Sequence, residues 1–198
     1  MQARSEETKK RILEAARDIF AAKGFHGARM DEIAAKAKIN KERIYSYFGS
    51  KEKLFGLITK NAMKEMARAE EIFLRDLSGS TVEIASRLIS QYMEFHEQHP
   101  FFWRLLIWEN LEAGDNSMTL GKLRNESLMN LRNVYERNFM ADGKWKKVPF
   151  ETFFYVITAV SFFYFTNLKT MKHTLNADME SMVFRKKLVK QIVALLFE

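Results

Sequence analysis

The sequence has no cysteine, and among its 198 residues only two are proline and eight are glycine. The absence of cysteine excludes a disulfide scaffold, a thiolate zinc site and a cysteine nucleophile. With so few residues that interrupt regular structure, many strands joined by tight turns are disfavoured and long helices are favoured. The apolar share of 47% and the charged share of 29% are ordinary for a folded chain of one domain or two small ones.

Long hydrophobic runs are also missing. The most apolar stretch, residues 153–165, is 13 residues long, whereas a membrane-spanning helix needs about 20 apolar residues. The first ten residues are polar and lack the apolar segment of a secretion signal. We therefore expect a cytoplasmic protein without a membrane-spanning segment.

Positive charge is concentrated in the first third of the chain. Residues 1–60 hold 14 Lys or Arg against 8 Asp or Glu, whereas residues 61–198 hold 18 against 17. Aromatic residues have the opposite distribution, with all three Trp and 13 of the 17 Phe after residue 60. The chain therefore has a small basic module followed by a larger aromatic-rich one. The concentration of positive charge indicates a polyanionic partner such as nucleic acid or a membrane surface, and the alternative is a basic face that is merely solvated.

Apolar residues of the N-terminal third recur with a helical period, and turn residues separate the repeats. The pattern predicts four helices, over residues 5–24, 30–37, 41–47 and 50 to about 77. A Ser or Asn side chain at a helix start accepts hydrogen bonds from the free N–H groups of the first turn. The expected caps of this kind are Ser5, Asn40 and Ser50, and Gly24 is expected to end the first helix.

Five further helices are predicted in the rest of the chain. They cover residues 80–98, 100–113, 116–140 and 149–169, and the last begins at Asn176 or Asp178. Ser80 and Glu83 form a capping box at the start of the first of these. No segment has the alternating pattern of a strand. The prediction is an all-α fold of about nine helices, divided into residues 1–52 and 53–198.

Two short helices joined by a short turn provide the functional signal. The turn Lys38-Ile39-Asn40 has the length found in helix-turn-helix units, and we place the unit at residues 29–48. In such a unit the first helix crosses the DNA backbone and holds the second in the major groove, where base edges present a readable pattern of donors and acceptors. The exposed side of the second helix offers residue types suited to base and phosphate contacts, namely Lys41, Glu42, Arg43, Ser46 and Tyr47.

The local sequence is more specific than this spacing. It reads GFHG at residues 24–27, MDEIA at 30–34 and INKERIYSYFGSKEKL at 39–54. Over about residues 8–58 the chain resembles the TetR/AcrR family of bacterial transcriptional regulators. Beyond that range the likeness lies in length, helix count, the aromatic C-terminal body and the segment 100–110. The resemblance implies an N-terminal three-helix helix-turn-helix DNA-binding domain and a C-terminal helical domain that binds an effector and dimerises.

The resemblance also implies roles for single residues. The positions of Tyr45, Tyr47 and Lys51 contact DNA phosphates in the family. From their donors and acceptors we expect Arg43 and Lys41 to bind guanine O6 and N7, and Glu42 to accept from a cytosine amine. The predicted DNA-binding residues are Arg29, Asn40, Lys41, Glu42, Arg43, Tyr45, Ser46, Tyr47 and Lys51.

Three positions depart from the usual family pattern. Arg29 lies where a threonine often contacts a phosphate, and it is expected to substitute for that contact. Lys38 lies where the turn usually has glycine, and a left-handed conformation there costs a non-glycine residue about 1 kcal/mol. The turn is therefore slightly strained or differently shaped. Glu42 replaces a small residue, and its repulsion of phosphates narrows the choice of operator.

An effector pocket is expected in the aromatic C-terminal body, because ligand pockets are mostly apolar with a few polar groups. Glu109 is the most informative candidate, since a carboxylate on an apolar helix face either binds a cationic effector or pairs with Arg104 or a neighbouring lysine. The alternative is that each candidate simply fills the core. The candidates are Tyr92, Phe95, Phe102, Trp103, Leu106, Glu109, Tyr135, Phe154 and Tyr155.

The last long helices are too apolar for the surface of a monomer, because a helix that is apolar all round must be buried. The resemblance implies that they pack against their copies in a homodimer, and the alternative is burial within one chain. The candidate interface residues are Phe153, Val156, Ile157, Val160, Phe163, Val189, Ile192 and Leu196. In a dimer, two recognition helices one DNA turn apart read an inverted repeat.

No catalytic pattern is visible: there is no Ser/His/Asp set, paired-carboxylate motif, Walker loop or dinucleotide fingerprint. His96 and His99 have a spacing compatible with metal ligands, but they directly precede Pro100, so a solvated helix end is expected instead. We expect no enzymatic activity, no metal and no cofactor.

The expected function is therefore a homodimeric, sequence-specific transcriptional repressor. A small apolar or aromatic effector is expected to release it from double-stranded DNA with an inverted-repeat operator, with the long fourth helix as the lever between modules. Two alternatives stay open. An architectural DNA-binding protein without an effector would bind in a salt-sensitive but sequence-indifferent way. A helical metabolite- or lipid-binding protein would use the basic N-terminus at a membrane.

Overall fold

The structure is a computed structural model and describes residues 2–75, 78–112, 118–140 and 148–197. Within these ranges the chain forms helices and no strand, which confirms the all-α fold. The ten helices are α1 (Gln2–Gly27), α2 (Met30–Ala37), α3 (Lys41–Phe48), α4 (Lys51–Leu74), α5 (Thr81–Gln98), α6 (Pro100–Glu112), α7 (Met118–Asn138), α8 (Phe150–Thr166), α9 (Leu168–Thr174) and α10 (Met182–Phe197). The predicted breaks at Gly114 and at Asp142-Gly143 lie outside the described residues.

Polar caps set the starts of three helices where the sequence predicts them. Asn40 Oδ1 accepts a hydrogen bond from the backbone N–H three residues later, at 3.0 Å, and α3 follows. Ser50 Oγ accepts the equivalent bond at 3.2 Å before α4. Ser80 and Glu83 form the predicted capping box at α5. These caps satisfy N–H groups that have no partner within the helix.

The first helix differs from its prediction at both ends. It begins at Gln2, so Ser5 lies inside the helix, and the Ser5 hydroxyl donates to Tyr47 Oη at 3.3 Å instead of capping. Gly24 does leave the helical conformation, with φ of 72°. However, α1 resumes after this kink and ends at Gly27, so Gly24 bends the helix rather than ending it.

The C-terminal helices are divided differently from the prediction. The long apolar helix ends at Thr166, and Asn167 separates α8 from the short α9. The last helix begins at Met182 rather than at Asn176 or Asp178. Asn176 has a left-handed φ of 46° and cannot start a helix, whereas the hydroxyl of the residue before Met182 accepts a backbone N–H of the first turn at 3.1 Å.

The chain forms two compact units, one of residues 1–65 with 100–125 and one of residues 66–99 with 126–198. In the first unit α2 and α6 pack against α1, and α3 packs against α2. In the second unit α5 packs against both α8 and α10. Helix α6, placed by the sequence in the C-terminal domain, thus belongs to the compact unit of α1. The functional division at residues 52 and 53 stays a prediction.

The core of the first unit is built from one apolar side of each helix. Ile12, Ala16 and Phe20 are four residues apart on α1, and all three are fully buried. Ile33 of α2 and Ile44 of α3 are also fully buried. These side chains hold the two short helices in place, because neither helix is long enough to be stable alone.

The core of the second unit is aromatic. The ring of Tyr135 lies 4.6 Å from that of Phe153 and 5.2 Å from that of Phe139, measured between centroids. An ion pair joins α5 to α10: Arg185 donates to the two carboxylate oxygens of Glu97 at 2.7 and 2.9 Å. The Arg185 guanidinium lowers the pKa of the Glu97 carboxyl.

Among the described residues, no helix combines the length and the apolar character needed to cross a membrane.

Candidate nucleic-acid interface

The outward side of α3 follows from the position of its one buried residue. Ile44 points into the core, so the residues around it on the helix point away from the core. The exposed residues of α3 are Glu42, Arg43, Tyr45 and Ser46, and Lys41 and Tyr47 are partly exposed. All the polar groups that the sequence assigns to α3 therefore lie on its accessible side.

Of the two alternatives for the turn before α3, strained or differently shaped, the structure shows the strained one. Lys38 has φ of 54° and ψ of 52°, in the left-handed region, which costs an L-residue about 1–2 kcal/mol. The next residue, Ile39, donates its backbone N–H to Ala34 O at 3.0 Å. This bond closes the end of α2 in the manner of a Schellman turn.

Lys41 is engaged within the protein. Its ammonium lies 3.1 Å from a carboxylate oxygen of Asp31 on α2, and this hydrogen bond raises the pKa of Lys41. Sequence reasoning did not assign Asp31. The pair is exposed, so its strength is modest and salt-sensitive, and Lys41 can exchange the carboxylate for a nucleic-acid acceptor.

Arg43 and Tyr47 lie one helical turn apart and contact each other. Arg43 Nη2 is 3.5 Å from Tyr47 Oη, and its guanidinium carbon is 5.9 Å from the ring centroid. Hydrogen bonds from Ser5 and then Arg43 lower the pKa of Tyr47. Ser5 is a second group that the sequence pattern missed, because it is 42 residues away along the chain.

Arg29 and Lys51 lie at the starts of helices beside the helix-turn-helix. Arg29 is exposed and extended at the N-cap of α2, and its side chain makes no capping hydrogen bond there. Lys51 is the first residue of α4, and its ammonium lies 4.6 Å from the ring centroid of Phe25. A helix N-terminus with a nearby cation favours a bound phosphate.

The predicted effector residues are distributed over both compact units. Phe102, Trp103, Leu106 and Glu109 lie on α6 in the first, and Tyr92, Phe95, Tyr135, Phe154 and Tyr155 lie on α5, α7 and α8 in the second. Tyr92 and Tyr135 are buried, and they donate hydrogen bonds to Glu70 and to the Val148 carbonyl. Tyr155 is 74% exposed, so within this chain it lies on the surface and lines no interior.

Glu109 has an altered acidity. It is half-buried at the end of α6, and burial raises the pKa of its carboxyl from 4.5 to about 7. Desolvation disfavours the charged carboxylate. A cationic group placed beside Glu109 would reverse that effect.

The predicted dimer residues also divide into two groups. Phe153, Ile157 and Val189 are buried within a single chain, so the alternative of in-chain burial accounts for them. Phe163 is 52% exposed, and the partly exposed members are Val156, Val160 and Ile192. The side chain of Leu196 lies outside the described residues.

The two histidines before Pro100 differ from the prediction of a solvated helix end. His96 is buried, with Phe162 and Phe165 of α8 at 6.2 and 6.3 Å between ring centroids. His99 stacks on the ring of Phe95 at 4.2 Å. In the described part of the chain, no three His, Asp or Glu side chains are grouped in a way that could hold a metal ion.

Comparison with protein families identifies the chain as a regulator. The family described as "Bacterial regulatory proteins, tetR family" matches residues 12–58, and "Tetracyclin repressor-like, C-terminal domain" matches residues 82–196. The chain belongs to the TetR family. The resemblance drawn from residues 8–58 is thereby confirmed. The TetR-family assignment also confirms a helix-turn-helix DNA-binding regulator of transcription rather than an enzyme.

Two relatives match this chain over most of its length. The HTH-type transcriptional repressor SCO4008 of Streptomyces coelicolor is 35% identical over 148 residues, which are 72% of this chain and 73% of that protein. The HTH-type transcriptional repressor NicS of Pseudomonas putida is 31% identical over 179 residues, covering 88% of this chain and 84% of NicS.

Solved structures agree with the fold. A transcriptional regulator of Streptomyces coelicolor, SCO4942, superposes with a TM-score of 0.72 at 23% identity, covering 96% of this chain and 98% of that one. FadR of Bacillus subtilis, solved in complex with stearoyl-CoA, has a TM-score of 0.65 at 18% identity over 96% of this chain and 98% of its own. At these identities the likeness concerns the fold alone.

Proposed function

We propose that this TetR-family protein is a homodimeric repressor that binds an inverted-repeat operator and is released by a small apolar or aromatic effector. The observation that carries the proposal is the outward side of α3, where Lys41, Arg43 and Ser46 are accessible while Ile44 anchors the helix. That arrangement suits a recognition helix in a major groove. SCO4008 and NicS, both named as repressors, support the same sign of regulation.

In the proposed complex, base and phosphate contacts are divided among the candidate residues. Arg43 and Lys41 donate to guanine O6 and N7, and Glu42 accepts from cytosine N4. Residues at the edges of the helix-turn-helix position the protein on the backbone and carry no sequence information directly. These phosphate-binding residues are Arg29, Tyr45, Tyr47 and Lys51. Asn40 and Ser46 are proposed to face the major groove.

A second copy of the chain is the proposed partner of α8 and α10. Both helices carry large apolar side chains in water, among them Tyr155, Phe163 and Val183, and Val183 is 78% exposed. Exposed apolar patches of this kind mark interaction surfaces. Their burial against a second copy would also bring two recognition helices together, as an inverted repeat requires.

The effector is proposed to bind in the C-terminal body among the aromatic candidates of the second compact unit, on α5, α7 and α8. The ligand and the operator must each prefer a different conformation of the dimer for one to release the other.

The test is the selection of bound duplexes from a random DNA library by the purified protein without added ligand. Enrichment of an inverted repeat, with half-site centres about one helical turn or a multiple of it apart, supports the proposal. Binding without enrichment contradicts it and supports an architectural role. If nothing binds, the protein is extracted for copurified small molecules and tested again, and failure of the stripped protein to bind also contradicts the proposal.

A further inference from the structure

The turn between α2 and α3 determines the direction in which α3 leaves α2. Its first residue, Lys38, is held in the left-handed region although it has a side chain. Glycine is the residue that adopts this conformation without a steric penalty. Some other interaction must therefore stabilise the turn in this protein.

Arg11 of α1 makes that interaction. Its Nη2 donates to Ala37 O at 2.6 Å and to Lys38 O at 3.1 Å, and its Nε donates to Ala37 O at 3.2 Å. These carbonyls lie at the C-terminal end of α2, where carbonyl groups have no partner in a following helical turn. A guanidinium is well suited to the position, because it is a rigid fork of donors and its charge complements the negative end of the helix.

Two ion pairs hold α2 on α1 independently of Arg11. Lys36 lies 2.8 Å from Asp18, and Lys23 lies 2.6 Å from Glu32. Helix α2 thus has other attachments to α1 along its length. The hydrogen bonds of Arg11 act at the end of α2 and on the carbonyl of the turn residue itself, which is the point at which the path to α3 is set.

We propose that Arg11 is a positioning residue for DNA recognition, which holds the left-handed turn at Lys38 and thereby orients α3 for the operator. The inference rests on the proposed function, since it requires that α3 reads an operator. Arg11 acts through the turn and not as a phosphate contact. Its contribution therefore depends on how strained the turn is, and a glycine at position 38 should make it largely dispensable.

The experiment is a double-mutant cycle with Arg11→Gln, Lys38→Gly and the variant with both changes. Fluorescence anisotropy measures Kd for the selected inverted repeat and for a random duplex of the same length, over a range of salt concentrations. In the glycine background, the effect of Arg11→Gln is obtained by comparing Lys38→Gly with the variant that has both changes. Neither protein has the Lys38 charge, so its loss does not contribute to the difference. Circular dichroism establishes the folded fraction of each variant at the temperature of the binding assay.

We expect Arg11→Gln to weaken operator binding about tenfold in the natural background, and only about twofold when position 38 is glycine. Binding to the random duplex should change little, so the ratio of specific to random affinity falls. The dependence of log K on log salt should keep its slope. The control Lys10→Gln removes the same charge from the neighbouring position of α1, and it should leave that ratio unchanged.

Four results would overturn the inference. An equal loss in the two backgrounds would show that Arg11 does not act through the turn. A salt slope that falls by about 0.9 for each copy in the dimer would make Arg11 a phosphate contact. If the natural protein binds the inverted repeat and Arg11→Gln binds it equally well, Arg11 has no positioning role, and the proposed function still stands. Failure of the natural protein to bind any inverted repeat overturns both. If Arg11→Gln does not fold, Arg11→Lys replaces it in the cycle, with an intermediate loss expected.

Discussion

At the scale of single residues, the recognition helix is already engaged in contacts before any DNA is present. Lys41 pairs with Asp31, and Arg43 lies against Tyr47. These contacts are exposed and weak, so they orient the side chains without preventing their exchange for nucleic-acid partners.

Arg43→Ala is expected to weaken operator binding by about 1–3 kcal/mol and to relax the preference at one position of each half-site, because it removes the proposed bidentate donor to guanine. The measurement is a repeat of the library selection with the variant, together with Kd on the selected sequence. An equal loss on the operator and on random DNA would assign Arg43 to phosphate binding instead.

Lys51→Ala is expected to weaken binding to every sequence by a similar factor and to lower the salt slope by about one for each copy in the dimer, because it removes the proposed phosphate contact at the start of α4. Titrations of operator and random duplexes at several salt concentrations provide the measurement. Lys60→Ala, at an exposed position further along the same helix, is the control and should leave the slope unchanged. A selective loss on the operator would argue against a phosphate role for Lys51.

The raised pKa of Glu109 should make the stability of the protein depend on pH. Burial raises the pKa of Glu109 to about 7, above its ordinary 4.5. Between these two values the folded state retains a proton that the unfolded state has lost, so stability falls as the pH rises through this window. Glu109→Gln should remove this decline, measured as thermal midpoints from pH 5 to pH 8. The exposed Glu94→Gln should retain it, and a decline that persists in Glu109→Gln would exclude Glu109 as its source.

At the scale of helices, the contribution of the capping residues to stability can be tested without DNA. At α5 the side chain of Ser80 accepts from the backbone N–H of Glu83, and the Glu83 carboxylate accepts from the N–H of Ser80. Hydrogen bonds from the backbone and side chain of Ser80 lower the pKa of Glu83. The motif therefore holds the start of α5, which packs against both α8 and α10.

Ser80→Ala is expected to lower the free energy of unfolding by about 1 kcal/mol, because the first turn of α5 loses the acceptor for one of its free N–H groups. Urea denaturation monitored by circular dichroism measures the change. Ser90→Ala is the matched control in the interior of the same helix, where the hydroxyl only bonds back to Ser86 O. Ser90→Ala should be neutral or slightly stabilising, and an equal loss in both variants would contradict a capping role.

At the scale of the whole molecule, the exposed apolar residues of α8 and α10 distinguish a monomer from a dimer. Phe163 and Val183 remain accessible in one chain, while Phe153 and Ile157 of α8 are already buried in its core. The interface of a dimer would therefore be made by the outward residues of these helices. The inward ones belong to the fold of each copy.

The double variant Phe163→Asp/Val183→Asp is expected to be monomeric at micromolar concentrations, where we expect the natural protein to be dimeric, because unpaired charges cannot be buried between copies. Sedimentation velocity measures the change, and operator affinity should fall with it. Val82→Asp, at an exposed apolar position of α5, should remain dimeric. A natural protein that sediments as a monomer would contradict the proposed dimer.

The sequence by itself determined the features that depend on neighbours along the chain. The caps at Asn40, Ser50 and Ser80 follow from residues within four positions of one another. At Lys38 the lack of glycine left two alternatives, a strained or a differently shaped turn, and the structure shows the strained left-handed one. The family motif of the helix-turn-helix is equally local, so both the fold class and the family were predictable from it.

Only the tertiary structure decided which distant residues meet. The Arg11 contact with the turn spans 26 residues, and the Ser5 contact with Tyr47 spans 42. No helical period relates such positions, and their partners depend on how α1 packs against the short helices. Tertiary packing also decides which side chains are buried. Apolar residues occur around most of α8, so their spacing in the sequence does not distinguish the core residue Ile157 from the exposed Phe163.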